Sequence, residues 1–442
     1  MRATTLLGIL AIGCGARGAL EVAPAPEDGG IECVPAAPAV ESCNGLDDDC
    51  DSAVDEDLGF DRLGDPLAIR IDEGETGPCD VCRWAWGTAL LPTSEGWLAT
   101  WRVSFDGLRP MPNAFARPLD RAGLPTGPAR TLFEAPAPQG FRIVPSTRER
   151  ALLAFCIRDV ADDIPASAFL DARGALLSGP TQRTPRLRGC GGQLVDAVWT
   201  GRRHLFTWLH GTDGIALDVA DEDGRSLRSE VHDRDGWVWI DPGVRLSAAH
   251  GGVLQVFLHR PDPDDPPRNE LVVRRLDLEG NVRSELVVPI DDGQAADPLV
   301  ASAARGWLIV ARRNADGGYY TVRVDDDGTL LSGATLHDVV REQHNTHSDL
   351  EPRPGGGFYF ATTVSVPGPP TTYRSIFALL DEEGRIEREL VSEPISGSGD
   401  EGWVLSPDIV ARDGEAWVLY HGIAADADFN RVLLQRYGCV AP

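Results

Sequence analysis

Tyr319-Tyr320-Thr321-Val322-Arg323-Val324-Asp325-Asp326-Asp327-Gly328 joins an extended apolar run to an acidic turn that closes on glycine. β-Branched and aromatic residues favour strands, and Asp with Gly favours a tight turn between them. Residues 298–303 and 307–311 form two further runs before this stretch, separated by Arg305-Gly306, and another run follows the turn. The segment therefore predicts a unit of four antiparallel strands joined by hairpins.

The acidic turn recurs along the chain at a nearly constant interval. The closing glycines of successive copies are 48 to 56 residues apart, a regularity that indicates one repeated supersecondary unit. The sequence thus predicts an all-β fold, a seven-bladed β-propeller with four-stranded blades, over residues 66–442. Six copies end at Gly123, Gly174, Gly224, Gly280, Gly328 and Gly384, and a degenerate last copy, Arg436-Tyr437-Gly438, ends at Gly438.

The last copy of the repeat lacks a fourth strand, because only four residues follow Gly438. Residues 66–72 contain Leu67-Ala68-Ile69-Arg70-Ile71-Asp72, which resembles the fourth-strand phrase Leu286-Val287-Val288-Pro289-Ile290-Asp291. A propeller that joins its two chain ends in one blade leaves no exposed sheet edge there. We therefore expect residues 66–72 to form the outermost strand of blade seven, beside residues 432–437.

Composition limits the partners of the protein. The 442 residues carry 68 acidic and 41 basic side chains, a net charge of −27. Such a chain repels a phosphate backbone instead of releasing its counterions, so we expect no nucleic-acid partner.

The amino terminus reads as an export signal. A short apolar run ends in Ala11-Ile12-Gly13-Cys14, which resembles a bacterial lipobox. The resemblance implies that residues 1–13 are a lipoprotein signal peptide and that Cys14 is lipidated. The residues directly after Cys14 are Gly15 and Ala16, neither of which is acidic. This favours the outer membrane or cell surface, with the lipid anchor as the only membrane contact. The alternative is an ordinary secretory signal that is cleaved near Ala16 or Ala19. Residues 14–42 have the composition of a disordered, flexible tether.

Eight further cysteines follow Cys14, and in an oxidising compartment an even number predicts disulfides. We expect Cys156 to pair with Cys190, and Cys439 to pair with Cys79 or Cys82. A redox or zinc pair at Cys79 and Cys82 is the alternative. The eight are Cys33, Cys43, Cys50, Cys79, Cys82, Cys156, Cys190 and Cys439.

Residues 43–57 form a small acidic, cysteine-rich knot. Cys43-Asn44-Gly45-Leu46-Asp47-Asp48-Asp49-Cys50-Asp51, followed by Asp55-Glu56, resembles the MopE-type metal-binding motif of secreted bacterial proteins. The resemblance implies metal binding without fixing the metal. Alternating Asp47, Asp49 and Asp51, with Asp55 or Glu56 completing the shell, favour Ca²⁺, since hard carboxylate oxygens suit a hard cation. A solvated acidic knot without metal is the alternative.

A second candidate site is the mouth of the central channel, which the first strands of a propeller line. Polar residues near the starts of several blades could meet there and hold a ligand or metal. They are Asp241, Asp297, His344, His347, Asp349 and Asp408.

Two functions follow from these features. The first is an exported surface lipoprotein, a non-enzymatic binding or scaffold protein whose partner is a protein or a glycan. The alternative is a propeller glycan hydrolase or lyase that uses carboxylates at the channel rim. The acidic turns lie where the Asp-boxes of sialidase-like propellers lie, but they lack the serine or threonine and the tryptophan of those boxes. We interpret these turns as structural.

Overall fold

The protein is an all-β propeller of seven antiparallel blades. The computed structural model describes residues 59–70, 82–105, 114–133, 138–147, 150–158, 163–183, 195–210, 214–233, 237–238, 243–261, 269–290, 295–313, 318–337, 348–366, 372–391, 407–412, 414–422 and 431–440. Within these ranges no helix has the length and hydropathy needed to cross a membrane.

The chain enters the propeller through two short strands and then builds the blades in sequence order. The two strands are β1 (Gly59–Arg62) and β2 (Leu67–Arg70). Blade one contains β3 (Cys82–Pro92), β4 (Trp97–Phe105), β5 (Ala114–Leu119) and β6 (Arg130–Phe133), and blade two contains β7 (Pro138–Thr147), β8 (Arg150–Arg158), β9 (Asp163–Asp171) and β10 (Thr181–Gln182). Blade three contains β11 (Asp196–Trp199), β12 (His204–His210), β13 (Gly214–Ala220) and β14 (Ser226–Asp233).

The remaining blades repeat this order. Blade four contains β15 (Trp237–Val238), β16 (Val244–Ala249), β17 (Gly252–Arg260), β18 (Glu270–Asp277) and β19 (Val282–Pro289), with β15 as a short addition that pairs with β17 beside β16. Blade five contains β20 (Ala295–Ser302), β21 (Trp307–Arg313), β22 (Tyr319–Val324) and β23 (Leu330–His337). Blade six contains β24 (Ser348–Pro352), β25 (Phe358–Val366), β26 (Thr372–Leu380) and β27 (Ile386–Val391), and blade seven contains β28 (Asp408–Arg412), β29 (Glu415–Gly422) and β30 (Arg431–Val440).

Strands from the start of the chain complete blade seven. β2 pairs antiparallel with β30, with Leu67 opposite Leu434 and Ile69 opposite Val432, which is the pairing that the closure prediction requires. β1 pairs with the other end of β30, with Gly59 opposite Val440. Because β1 and β2 both pair with β30, two short strands share the fourth position of blade seven. The sequence predicted only the second of them.

The hydrophobic core lies between neighbouring blades. One cluster joins blade seven to blade one, with Trp97 and Trp417 in contact at a centroid distance of 4.7 Å and Leu434 packed in the same cluster. Both faces of an inner strand are covered in this arrangement, so the inner strands read as nearly continuous apolar runs. β13 is an example, with all seven of its residues buried.

Six acidic turns connect the third and fourth strands, and each is built in the same way. In the blade-four turn, Asp277 Oδ1 accepts hydrogen bonds from the backbone N–H groups of Glu279 and Asn281 at 2.9 and 2.8 Å. The glycine that closes each turn has φ between 74° and 84°, a backbone region that favours glycine. The structural interpretation of the acidic turns is therefore confirmed for these six. The corresponding aspartates are Asp120, Asp171, Asp221, Asp277, Asp325 and Asp381. Gly438 of the degenerate seventh copy lies within β30, opposite Asp61, and closes no turn.

Candidate functional site: the central channel

The first strands of the blades surround a central channel. They contact one another in a closed circle, in which β28 of blade seven returns to β3 of blade one. A cavity of about 510 Å³ lies inside this circle and is lined by the first strands of blades two to six. This volume falls within the range of about 300–1,000 Å³ that is typical of small-molecule sites.

Charged residues on the first strands of blades two to seven surround the channel. Blade six carries two of them, Asp349 and Glu351, which are both buried and both line the cavity. One such residue is taken from each blade, with Asp349 representing blade six. We call this set the channel ring. Because side chains alternate along a strand, one position per blade can face the axis at a given depth. The channel ring consists of Arg142, Asp196, Arg245, Asp297, Asp349 and Asp408.

Three carboxylates of the channel ring connect adjacent blades. Asp196 Oδ2 accepts a hydrogen bond from the backbone N–H of Leu246 at 2.8 Å, which joins blade three to blade four. Asp349 Oδ2 accepts one from the N–H of Ile409 at 2.7 Å, which joins blade six to blade seven. Asp408 Oδ2 accepts one from the N–H of Leu90 at 2.7 Å, which joins blade seven to blade one. These bonds satisfy buried donors that would be costly to leave unpaired.

The other charges of the channel ring, except Arg245, are paired. Arg142 Nε donates to Asp196 Oδ1 at 3.0 Å, and its Nη1 lies 3.8 Å from Asp408 Oδ1. Asp297 lies at a β-bulge with φ of 50°, and its Oδ2 is 3.2 Å from Arg312 Nε. Ion pairing of this kind is the usual condition for burying charges.

Arg245 differs from the rest of the channel ring. It is 8 % exposed and lines the cavity, yet it makes no hydrogen bond or ion pair with any residue that the structure describes. Burial, and next the positive charge of Arg142, lower the pKa of Arg245 to about 10, while Asp196, Asp297 and Asp349 act in the opposite direction. Buried guanidinium N–H groups are normally satisfied by protein, water or a ligand, so Arg245 is the member of the channel ring that has donors left for a group in the cavity.

The structure brings together three of the six residues that sequence analysis assigned to the channel mouth. Asp349 lines the cavity, Asp408 lies beside Arg142, and Asp297 acts electrostatically on Arg245. Asp241, His344 and His347 lie outside the described residues.

Sequence analysis missed the other half of the channel ring, namely Arg142, Asp196 and Arg245. One signal was available for Asp196, since it stands directly before a first-strand run just as Asp408 does. For the two arginines the repeat offers no shared residue type at this position, so no sequence signal marks them.

The acidic knot and most cysteines lie elsewhere in the chain. Asp47, Asp49, Asp51, Asp55 and Glu56 are outside the described residues, as are Cys14, Cys33, Cys43, Cys50, Cys79 and Cys190. Cys156 and Cys439 are disulfide-bonded, and their partners are not among the side chains that the structure describes. The pairing of Cys156 with Cys190, and that of Cys439 with Cys79 or Cys82, stay predictions. Within the described ranges, no group of three or more His, Cys, Asp or Glu side chains is placed to hold a metal ion.

Comparison with known proteins identifies no family. No family model matches the chain, and no curated protein matches it. Solved structures show distant likeness at 10–13 % identity. A subtype N11 neuraminidase-like protein of a strain from a flat-faced bat has a TM-score of 0.41 and 10 % identity, with 68 % of this chain and 88 % of that chain covered.

Two enzymes show similar levels of likeness. An apocarotenoid oxygenase variant from Synechocystis has a TM-score of 0.41 and 13 % identity, covering 70 % of this chain and 71 % of that one. An α-L-arabinofuranosidase from Lactobacillus brevis has a TM-score of 0.33 and 13 % identity, covering 55 % and 89 %. Likeness at this level carries no argument about function. The assignment of the propeller rests on the strand pairing described above, and function has to be argued from the channel itself.

Proposed function

We propose that the protein is an exported, lipid-anchored binding protein without enzymatic activity, and that its propeller takes up a ligand in the central channel. The observation that carries this proposal is the combination of a preformed cavity with carboxylates that are already engaged. Asp196, Asp349 and Asp408 each accept a backbone N–H from the next blade. A rigid wall of this kind suits binding, because little conformational entropy is lost when the ligand enters.

The same bonds favour binding over the glycan hydrolase alternative. A glycosidase needs one carboxyl group that delivers a proton and a second that attacks or activates water, on opposite sides of the substrate. Asp408 already accepts the Leu90 N–H and lies beside Arg142, and Asp349 holds the N–H of Ile409. Carboxylates that maintain blade contacts would break those contacts if they moved or changed protonation state.

The anchor and the acidic knot belong to the proposal through the sequence alone. Cys14 would carry the lipid that holds the protein at the outer membrane or cell surface. Asp47, Asp49 and Asp51 would bind Ca²⁺, with Asp55 or Glu56 completing the shell, and would stiffen the segment between tether and propeller.

The test is a binding screen against a variant with a filled channel. Ser247 lines the cavity two residues beyond Arg245 on β16, so its side chain lies on the same face of the strand. Ser247→Phe should occupy part of the cavity while leaving the channel ring in place. Small carboxylates, peptides and oligosaccharides are added to both proteins, and the shift in melting temperature is recorded.

A ligand that stabilises the wild type but not Ser247→Phe supports the proposal. Failure of every compound to distinguish the two proteins would count against the channel as a binding site. Turnover of an oligosaccharide that is lost in Asp349→Asn would overturn the non-enzymatic assignment in favour of the hydrolase.

A further inference from the structure

We infer that Arg245 and the cavity beside it bind the carboxylate group of a small aliphatic molecule. The inference rests on the proposed function and specifies its ligand.

Two nitrogen atoms of the Arg245 guanidinium lack an acceptor among the described residues. Nε and Nη1 of Arg245 are fully enclosed and have no hydrogen-bond partner among the described residues. By contrast, Arg274 of the same blade is similarly buried, at 5 % exposed, but donates through Nε to Glu285 at 2.6 Å, and only its Nη1 is without a partner among the described residues. A buried charge without a partner is costly, and an incoming acceptor removes that cost. A ligand oxygen beside Arg245 would accept hydrogen bonds from both Nε and Nη1.

Charges of both signs act on Arg245. Arg142 is the charged residue that lowers the pKa of Arg245, whereas Asp196, Asp297 and Asp349 raise it. Arg142 is itself fixed by Asp196 at 3.0 Å, so it cannot turn away without breaking that pair. A negative group bound at Arg245 relieves this repulsion, which a neutral acceptor such as a hydroxyl group does not. The planar guanidinium also matches a carboxylate in shape.

The cavity wall beyond the channel ring is partly apolar. Small aliphatic residues such as Val144, Val198, Val300 and Ala301 line it, and the lining includes no aromatic ring. Its polar lining residues outside the channel ring include Ser247, Ser302, Glu351, Arg353 and Glu382. Apolar walls favour an aliphatic body over a polyhydroxylated one, because hydroxyl groups would lose water without gaining partners. A carboxylate head on Arg245 with a short aliphatic chain along these walls satisfies both parts of the site.

Calorimetry on the full-length protein with hexanoate tests the inference, and hexanamide serves as a neutral probe of the same size and shape. Hexanoate should bind the wild type. Arg245→Gln should weaken binding about tenfold or more, since one charge-assisted hydrogen bond is lost. Arg245→Lys, which retains the charge, should bind more tightly than Arg245→Gln. Arg274→Gln is the matched control, because it alters an equally buried arginine of blade four that does not line the cavity, and it should bind like the wild type. Melting curves establish that each variant is folded.

Three results would overturn the inference: no binding of hexanoate to the folded wild type, equal binding to Arg245→Gln, or hexanamide binding as tightly as hexanoate. If one of these results is obtained but another ligand stabilises the wild type and not Ser247→Phe, the binding function stands. Only the proposed ligand class is then rejected. If no compound distinguishes Ser247→Phe from the wild type, the binding function itself fails.

Discussion

The acidic turns set the spacing between blades, and a single methyl group tests this. Gly280 closes the blade-four turn with φ of +80°, and a Cβ atom placed there would lie 2.7 Å from Val219 Cγ2 and 3.1 Å from Leu205 Cδ2. Both neighbours belong to blade three, and they are 4 % and 0 % exposed. Because both side chains are enclosed in the core, neither can move aside without disturbing the interface between the two blades.

Gly280→Ala should therefore destabilise the protein through two separable costs. The left-handed backbone conformation costs alanine about 1–2 kcal/mol. Overpacking against blade three adds about 1–3 kcal/mol. Gly201 provides the matched control, since its φ is +84° but no atom lies within 4 Å of its hypothetical Cβ. Gly201→Ala should pay only the backbone cost.

Urea unfolding, followed by the fluorescence of the buried tryptophans, measures both variants. We expect Gly280→Ala to lose about 1–3 kcal/mol more than Gly201→Ala, with unchanged dependence on urea concentration. Equal losses in the two variants would refute the idea that the turn packs tightly against the preceding blade, and would leave backbone conformation as the only role of this glycine.

Four further predictions follow from the structure and the sequence. Burial lowers the pKa of the fully enclosed His204 to about 3, so between pH 6.5 and 3 the unfolded chain takes up a proton that the folded chain excludes. The free energy of unfolding should therefore decrease as the pH is lowered through this window, by up to about 1.4 kcal/mol per pH unit. Urea titrations at several pH values should show a smaller decrease for His204→Gln. Arg245→Met should raise the free energy of unfolding of the ligand-free protein by about 1 kcal/mol, because no hydrogen bond is lost with the buried charge, and a lower melting temperature would contradict this. Calorimetry on the oxidised knot should give a calcium dissociation constant on the order of 10⁻⁴–10⁻³ M, and equal heat after changing Asp47 and Asp49 to Asn would exclude these ligands. Peptide mapping without reduction should join Cys156 to Cys190, and a different partner for Cys156 would reject that pairing.

The repeated parts of the fold could be predicted from the sequence, because repetition turns a weak local signal into a strong one. A single acidic turn that closes on glycine fits many folds, whereas six of them at intervals of 48 to 56 residues fit few. The closing strand at Leu67–Arg70 could also be predicted, because its sequence pattern resembles that of another fourth strand. β1 was not, because Gly59-Phe60-Asp61-Arg62 is short and carries no such phrase. Its position depends on pairing with β30, which is a long-range contact.

The channel was only partly predictable, for a related physical reason. Asp349 and Asp408 stand at the starts of recognisable strands, so the repeat alone places them near the axis. Arg245 was singled out because two of its nitrogen atoms lack a hydrogen-bond partner among the described residues. The absence of a contact cannot be predicted from a single sequence. Arginines with and without partners look alike in the primary structure, as Arg274 and Arg245 in the same blade illustrate.

The pairing of β1 and β2 with β30 also has a consequence for the order in which the protein can be made. The hydrogen bond from Gln435 Nε2 to the carbonyl oxygen of Gly64 joins residues that are 371 positions apart. The strands near Gly64 therefore cannot pair until the segment around Gln435 has been synthesised. Until then β1 and β2 have no sheet to join, and the growing molecule is an open arc with unpaired strand edges. Loop closure over such a distance is slow, and strand edges left open during that time are prone to aggregation. A chain that stalls before residue 431 cannot complete its last blade, and its unpaired strand edges would distinguish it from the finished molecule for cellular quality control.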